Sequence, residues 1–332
     1  MNAVAETHVH AVAPPHATHK LKLLIKREFW ENKGGFLWAP IIVGGIATTF
    51  AALAAIAGTI MGRRHGMGDS VDADDVAEVA RVLGAVGDGA LLAGVGLAMA
   101  VLAFVVFFYA LGSLYDDRRD RSILFWKSMP VSDAQIVLSK AAWALVLAPL
   151  VAVAIGLIIG LAFWLIVALT TTVNSVPGAG GIIVNSHPFR IVANILVSLP
   201  VQMLWSLPTL GWLMLCSAWS RRVPFLWATM VPILFCTMVS FMGIFPQVDI
   251  PHDWLWYTVV YRGLLSVVPG SWIPPTFSSE LENVHGPDQL PNLLHIGSSW
   301  QVLAHADVWI GAILGVAMIY GAIRLRRWRE EG

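Results

Sequence analysis

Six long apolar runs separated by polar connections dominate the chain: Phe36–Met61, Gly89–Tyr115, Ala141–Val173, Ile191–Ser217, Val223–Phe245 and Asp307–Ile323. A helix rising 1.5 Å per residue needs roughly 20 apolar residues to cross a hydrocarbon layer of about 30 Å. Each run approaches or exceeds that length, and the third leaves enough over to tilt or to project beyond the layer. The pattern predicts an all-α integral membrane protein with six transmembrane helices, forming one domain from Lys20 to Gly332 after a disordered start over residues 1–19.

The polar connections carry patterns of their own. Over Lys20–Lys33, Leu21, Leu24, Ile25 and Phe29 share one helical face while Lys22, Lys26 and Lys33 lie elsewhere. This predicts an N-terminal amphipathic helix in the membrane interface, with Lys22 and Lys26 at the lipid headgroups, Trp30 as anchor, and a break at Gly34-Gly35. In the connection 62–88, Asp72–Leu83 predicts a short surface helix with its acids near the N-terminus, where the helix dipole favours them. Its DxDD run lacks the glycine and distal glutamate of a calcium loop. The connection 174–188 is Gly-rich and reads as a turn. The connection 246–306 is aromatic and broken by Pro251, Pro269, Pro274 and Pro275, which predicts short re-entrant helices that enter the membrane and return. Pro200, Pro208 and Pro232 interrupt the fourth and fifth runs and predict kinks.

Composition narrows the class. With 57% hydrophobic and 13% charged residues, and a mean hydropathy of +0.70, the chain lies outside the range of ordinary soluble domains. Charge then sets its orientation. Lys20, Lys22, Lys26, Arg27 and Lys33 precede the first run, and Arg118, Arg119, Arg121, Lys127 and Lys140 lie between the second and third. Arg221 and Arg222 join the fourth and fifth, and Arg324, Arg326, Arg327 and Arg329 close the chain. Every lysine belongs to this set; the opposite side holds only Arg63, Arg64, Arg81, Arg190 and Arg262. Cationic loops resist translocation, so both termini are expected in the cytoplasm, and the membrane is read as a bacterial inner membrane. Cys216 and Cys236 fall inside predicted spans and read as reduced thiols packing as small apolar groups. No metal site and no nucleic-acid partner are expected.

One cytoplasmic connection stands out. From Tyr115 to Lys140 it opens with six ionic residues, Asp116 to Arg121, in which Asp117 and Arg121 are spaced i,i+4 and Asp116 and Arg119 i,i+3. Ile123, Leu124, Phe125 and Trp126 then put bulky apolar groups on a water-facing segment. Pro130 ends that element, and Ser132 with Gln135 predicts a capping box for a helix entering the third span. A short helix with an apolar knuckle either lies against the headgroups or docks in a groove on a cytoplasmic partner.

The stretch from Leu114 to Lys140 resembles the linker of type-2 ABC exporter permeases, through Met129-Pro130-Val131-Ser132 and the aliphatic run ending at Lys140. The layout from Lys20 to Arg329 is also similar, although the connection 62–88 is longer than in compact members. The resemblance implies a cytoplasmic coupling helix, a second permease subunit (homodimer or heterodimer), and two copies of a separate ABC-type ATPase. It assigns ATPase coupling to Asp117, Arg121, Ile123, Leu124, Phe125, Trp126, Met129, Pro130 and Ser132, with Arg221 and Arg222 as a smaller second contact. ATP and Mg²⁺ would be bound by that partner. No cofactor is expected on this chain, since none of its lysines follows a glycine and a phosphate-cradling G-x-x-x-x-G-K-[ST] loop is absent.

Other classes fit less well. An ion-coupled transporter needs ionisable groups within the membrane, and the six runs contain only Asp307, at the outer end of the last. An intramembrane hydrolase needs a metal pair or a buried base. His187, His252, His285, His295 and His305 fall in outside connections or at run edges, and none forms an i,i+4 pair beside a glutamate. A scaffold or sensor without transport also fits the layout. For a substrate pathway, Phe104, Phe107 and Phe108 of the second run and Phe235, Met238, Phe241 and Met242 of the fifth would suit an amphiphilic or apolar cargo.

Overall fold

The computed structural model describes residues 17–65, 75–121, 131–243, 251–273 and 300–328, which are predominantly helical with no strand among them. Five helical runs are long and apolar enough to cross a membrane: Leu21–Arg64, Asp75–Arg119, Asp133–Val173, Pro188–Trp219 and Ala306–Trp328. The fifth apolar run of the sequence forms a shorter helix, Leu226–Met242.

The elements are α1 (Ala17–Lys33), α2 (Ala39–His65), α3 (Asp75–Gly112), α4 (Tyr115–Arg119), α5 (Asp133–Ala142), α6 (Ala148–Val173), α7 (Gly181–Val184), α8 (Pro188–Trp219), α9 (Val231–Met242), α10 (His252–Trp256) and α11 (Ala306–Trp328). The bundle centres on α3 against α6 and α11 against α8, with α2 laid on α6 and α3. Its main core joins Phe36, Leu102, Val106, Trp143, Leu213 and Met214. One end of the bundle carries α1, α4, α5 and the C-termini of α8 and α11. We call it the linker end, and the opposite end the loop end.

Helices overrun the predicted boundaries in several places. Gly34-Gly35 does not break the chain: α1 passes into α2 through a π-helical stretch, Gly34–Trp38. Backbone groups beside hydrocarbon need internal partners, so the helix continues where glycine alone would favour a stop. The surface helix expected at Asp72–Leu83 is, within its described part, the first turns of α3, which runs unbroken from Asp75 to Gly112. The Gly-rich turn after α6 does form, with Gly178 at φ +79°, but it also holds α7. The knuckle Ile123–Trp126, Met129 and Pro130 lie outside the described residues, as does most of the connection beyond Ile273.

Of four described π-helical stretches, three share one sequence feature; the fourth, Tyr257–Arg262, does not. Gly34–Trp38, Trp143–Leu147 and Leu226–Met230 each end two residues before a proline: Pro40, Pro149 and Pro232. Proline has no N–H to give the carbonyl four residues back, and its ring collides with that carbonyl. A widened turn moves the carbonyl aside. At Pro232 that carbonyl belongs to Ala228, and the Trp212 indole N–H donates to it at 2.9 Å. Pro200 and Pro208 lie inside α8, which continues through both.

Glycine sets the closeness of both main helix pairs. A Cβ on Gly94 of α3 would lie 2.2 Å from the backbone N of Gly160 on α6, and one on Gly211 of α8 would lie 2.4 Å from the carbonyl of Gly315 on α11. With no hydrophobic drive between helices in lipid, such backbone-to-backbone approach supplies packing energy. Cys216 and Cys236 are buried free thiols, in agreement with the sequence reading.

Candidate functional site

The linker end is built on buried charge. Glu28 falls on the same face of α1 as Leu24 and Ile25, at i+4 from Leu24, and that face packs against protein. Leu24 meets Ile136 of α5, and Phe29 meets Trp143 with ring centroids 5.7 Å apart. The apolar face expected to contact lipid is thus largely covered by the helix that follows the linker. Lys22, Lys26 and Trp30 remain exposed, and Lys33 lies over the Trp30 ring.

Glu28, only 1% exposed, accepts a hydrogen bond from the Tyr109 hydroxyl at 2.7 Å and lies 3.4 Å from Lys140 Nζ. Lys140 Nζ in turn lies 3.8 Å from Asp117 Oδ1. Arg326 Nη1 donates to Asp117 Oδ2 at 2.8 Å, and Arg326 Nε lies 3.3 Å from Asp133 Oδ1. Acid and base alternate through the cluster, which is what allows the charges to stay out of water. Its members come from α1, α3, α4, α5 and α11.

Within the linker, Asp117 precedes the segment 122–130 and Asp133 follows it, and Arg326 contacts both carboxylates. The flanks are fixed further. Arg118 Nη2 donates to the carbonyls of Ser217 and Ser220 at the C-terminus of α8, where a cation also meets the helix dipole. Ser217 Oγ accepts from the backbone N–H groups of Leu114 and Tyr115 at 3.1 and 3.0 Å. On the far side Ser132 and Gln135 form the expected capping box, at 3.2 and 3.1 Å.

The expected Asp117–Arg121 helical pair is replaced. α4 ends at Arg119, and Arg121 is exposed with φ +55°, outside the geometry that brings i,i+4 side chains together. Asp117 instead faces inward to Arg326 and Lys140. Arg221 and Arg222 are exposed beside Trp219, Ser220 and Trp227, which together line a cavity of about 400 Å³. The Arg222 carbonyl accepts from Tyr115 Oη.

The suggested cargo residues are not assembled into one cavity by a single chain. Phe104, Phe108, Phe235, Met238, Phe241 and Met242 are exposed, and Phe107 is partly buried. α3 packs chiefly on α6 and α8, whereas α9 packs on the stretch 226–230 and on residues 252–262. Of the seven, Phe235 alone lines the cavity at the loop end described next.

That end holds two buried charges missed as structural groups in the sequence. Asp88 of α3 accepts from Ser186 Oγ at 2.9 Å and from the His187 backbone N–H at 2.7 Å. It thereby supplies the carboxylate at the N-terminus of α8, whose own N-cap, His187, makes no side-chain cap. Arg262 is 6% exposed. Its Nη1 donates to the Trp205 carbonyl at 2.5 Å, and its guanidinium stacks 3.6 Å from the Trp205 ring centre. Burial pushes Arg262 down to about 10, which still leaves it cationic at neutral pH. Burial and the nearby Asp307 raise Tyr257 to about 12.

Among the described residues no cluster of three or more His, Cys, Asp or Glu side chains is arranged to hold a metal ion. Comparison of the chain with protein-family models, curated proteins and solved structures finds no match. Glu28 and Arg326 left a trace in the sequence. Each falls on the buried face of its helix, Glu28 at i+4 from Leu24 and Arg326 at i+4 and i+7 from Ala322 and Ile319.

Proposed function

We propose that the chain is the membrane-spanning permease subunit of an ATP-binding-cassette exporter, dimerising around a pathway and driven by a separate cytoplasmic ATPase. In this reading the linker end faces the bacterial cytoplasm, in keeping with the positive charge gathered there. The helix Leu226–Met242, about 25 Å long at 1.5 Å per residue, is the remaining crossing, with the bilayer thinned locally to match it. The pathway phenylalanines and methionines lie on outer faces of the single chain, where a second copy would meet them.

The observation that carries the proposal is the contact of Arg326 with Asp117 and Asp133, on either side of the segment 122–130 of the linker. A push on the segment 122–130 would reach α11, α1 and the α5–α6 helix together through Asp117, Asp133, Lys140 and Glu28. A loop that merely joined two spans would have no need of buried charge at both ends. Glu28, Asp88, Asp117, Lys140 and Arg326 sit in the helix extensions and Arg262 in the stretch Tyr257–Arg262, and the apolar centres of the spans carry no group to couple an ion gradient.

Phe125→Asp and Trp126→Asp test the proposal. Each should abolish export while leaving membrane insertion and expression unchanged. Export and ATPase association at the level of the unaltered chain in both variants would discard it.

A further inference from the structure

A second site lies at the loop end, between α8, α9, the stretch Tyr257–Arg262 and α11. There a cavity of about 460 Å³ has walls that are mostly apolar. From α11 it takes Asp307, Ile310, Gly311, Leu314 and Met318, which descend one helical face. The eleven rises of 1.5 Å from Asp307 to Met318 make that face about 16 Å deep. Polar groups cluster at one end of it: Arg262, Tyr257 and Asp307. The other end, with Phe235, Leu314 and Met318, is wholly apolar.

Arg262 reads as a headgroup ligand. Its guanidinium is held by the Trp205 carbonyl, the Trp205 ring and the Asp307 carbonyl at 3.3 Å. Arg262 Nε has no hydrogen-bond partner although the residue is almost wholly buried, and a buried unmet donor of a cation is costly. The Asp307 carboxylate is no substitute, being exposed and accepting from the Tyr257 hydroxyl at 3.3 Å. Gly311 makes room for the guanidinium itself: a Cβ there would lie 2.4 Å from Arg262 Nη2.

We propose that this cavity binds a phospholipid-like amphiphile, its phosphate taken by Arg262 and its acyl chain laid along Leu314, Met318 and Phe235. The order of groups matches such a molecule, with a charged head above an apolar tail. Planar guanidinium suits phosphate oxygens better than any other side chain. The site shares Phe235 with the proposed pathway but does not rest on the ATPase reading, because lipid binding here requires no partner protein.

The test uses the full chain purified in detergent and offered, in separate arms, phosphatidylglycerol, diacylglycerol of the same chain length, and glycerol phosphate. Native mass spectrometry counts the retained molecules. Phosphatidylglycerol should be retained, with diacylglycerol weaker by about tenfold, the scale of one charge-assisted hydrogen bond, and glycerol phosphate, which lacks the acyl chains, weaker by at least about tenfold through lost apolar burial. Arg262→Gln should abolish the preference for phosphatidylglycerol over diacylglycerol. Because that change also removes bonds to the backbone, Leu314→Trp provides a second variant, narrowing the cavity from an exposed position. It should lower retention of phosphatidylglycerol with Arg262 intact. Equal retention of phosphatidylglycerol and diacylglycerol, retention of glycerol phosphate alone at the same level, or no effect of Leu314→Trp would each overturn the proposal.

Discussion

Arg326 and Asp117 lie 209 residues apart in sequence and meet through a 2.8 Å hydrogen bond between buried side chains. One comes from the last helix and the other from the helix that leads into the linker. Removing one partner of such a pair strands a charge, which costs about 3–5 kcal/mol. Arg326→Gln should therefore lower the apparent melting temperature in detergent more than Asp117→Asn. Arg326 also serves Asp133, whereas Asp117→Asn retains a hydrogen-bonding oxygen. The double variant should be less destabilised than the sum of the single changes, and strict additivity would show the pair to be energetically idle.

The Pro232 turn makes a sharper test of local structure. Trp212→Phe leaves the Ala228 carbonyl without its indole donor, a loss of about 1 kcal/mol. In a Pro232→Ala background the residue regains an N–H, and Ala228 can be bonded within the helix. Trp212→Phe should then cost less than in the native chain. An equal cost in both backgrounds, read from thermal unfolding, would refute the link between the π-helical stretch and the proline.

Close helix approach predicts intolerance at Gly160. A Cβ there would meet the Leu91 carbonyl at 2.7 Å and Leu91 Cα at 2.9 Å. Backbone cannot yield as a flexible side chain can, so Gly160→Val should destabilise the fold by about 1–3 kcal/mol or more. Gly58 of α2, with nothing within 4 Å of its added Cβ, should accept alanine with little change. Parallel melting curves compare the two.

Single-cysteine labelling tests orientation. A probe at Ser70 or Ser278 should react from outside intact cells, and one at Ser128 only after permeabilisation. The native Cys216 and Cys236 are buried and should contribute little background. Labelling of Ser128 in intact cells would invert the assigned topology.

Much of the fold was legible in the sequence. Hydrocarbon thickness imposes a minimum length on apolar runs, so Ala141–Val173 and Ile191–Ser217 located α6 and α8, with the end of α6 at Val173 matched and the other boundaries off by two to seven residues. Boundaries failed where helices leave that layer. Asp72–Leu83 read as a short separate surface helix in a polar connection, yet from Asp75 onward it is the start of α3, which continues through and buries Asp88 against the start of α8. The capping box at Ser132 was legible because its partners are three residues apart. The cluster of Glu28, Lys140, Asp117 and Arg326 was not, since long-range pairing leaves no local spacing to read. The cation tally treated Arg262 and Arg326 as topological markers, and folding buried both.

The central claim is that the segment between the two carboxylates held by Arg326 touches a nucleotide-hydrolysing neighbour. A photo-crosslinking amino acid placed at Phe125, and separately at Trp126, tests it most directly in cells expressing the full chain. The account predicts crosslinking to a cytoplasmic protein that binds ATP, lost when the probe is moved to exposed Leu169 of α6. Crosslinks to lipid alone, or to proteins that bind no nucleotide, would contradict it.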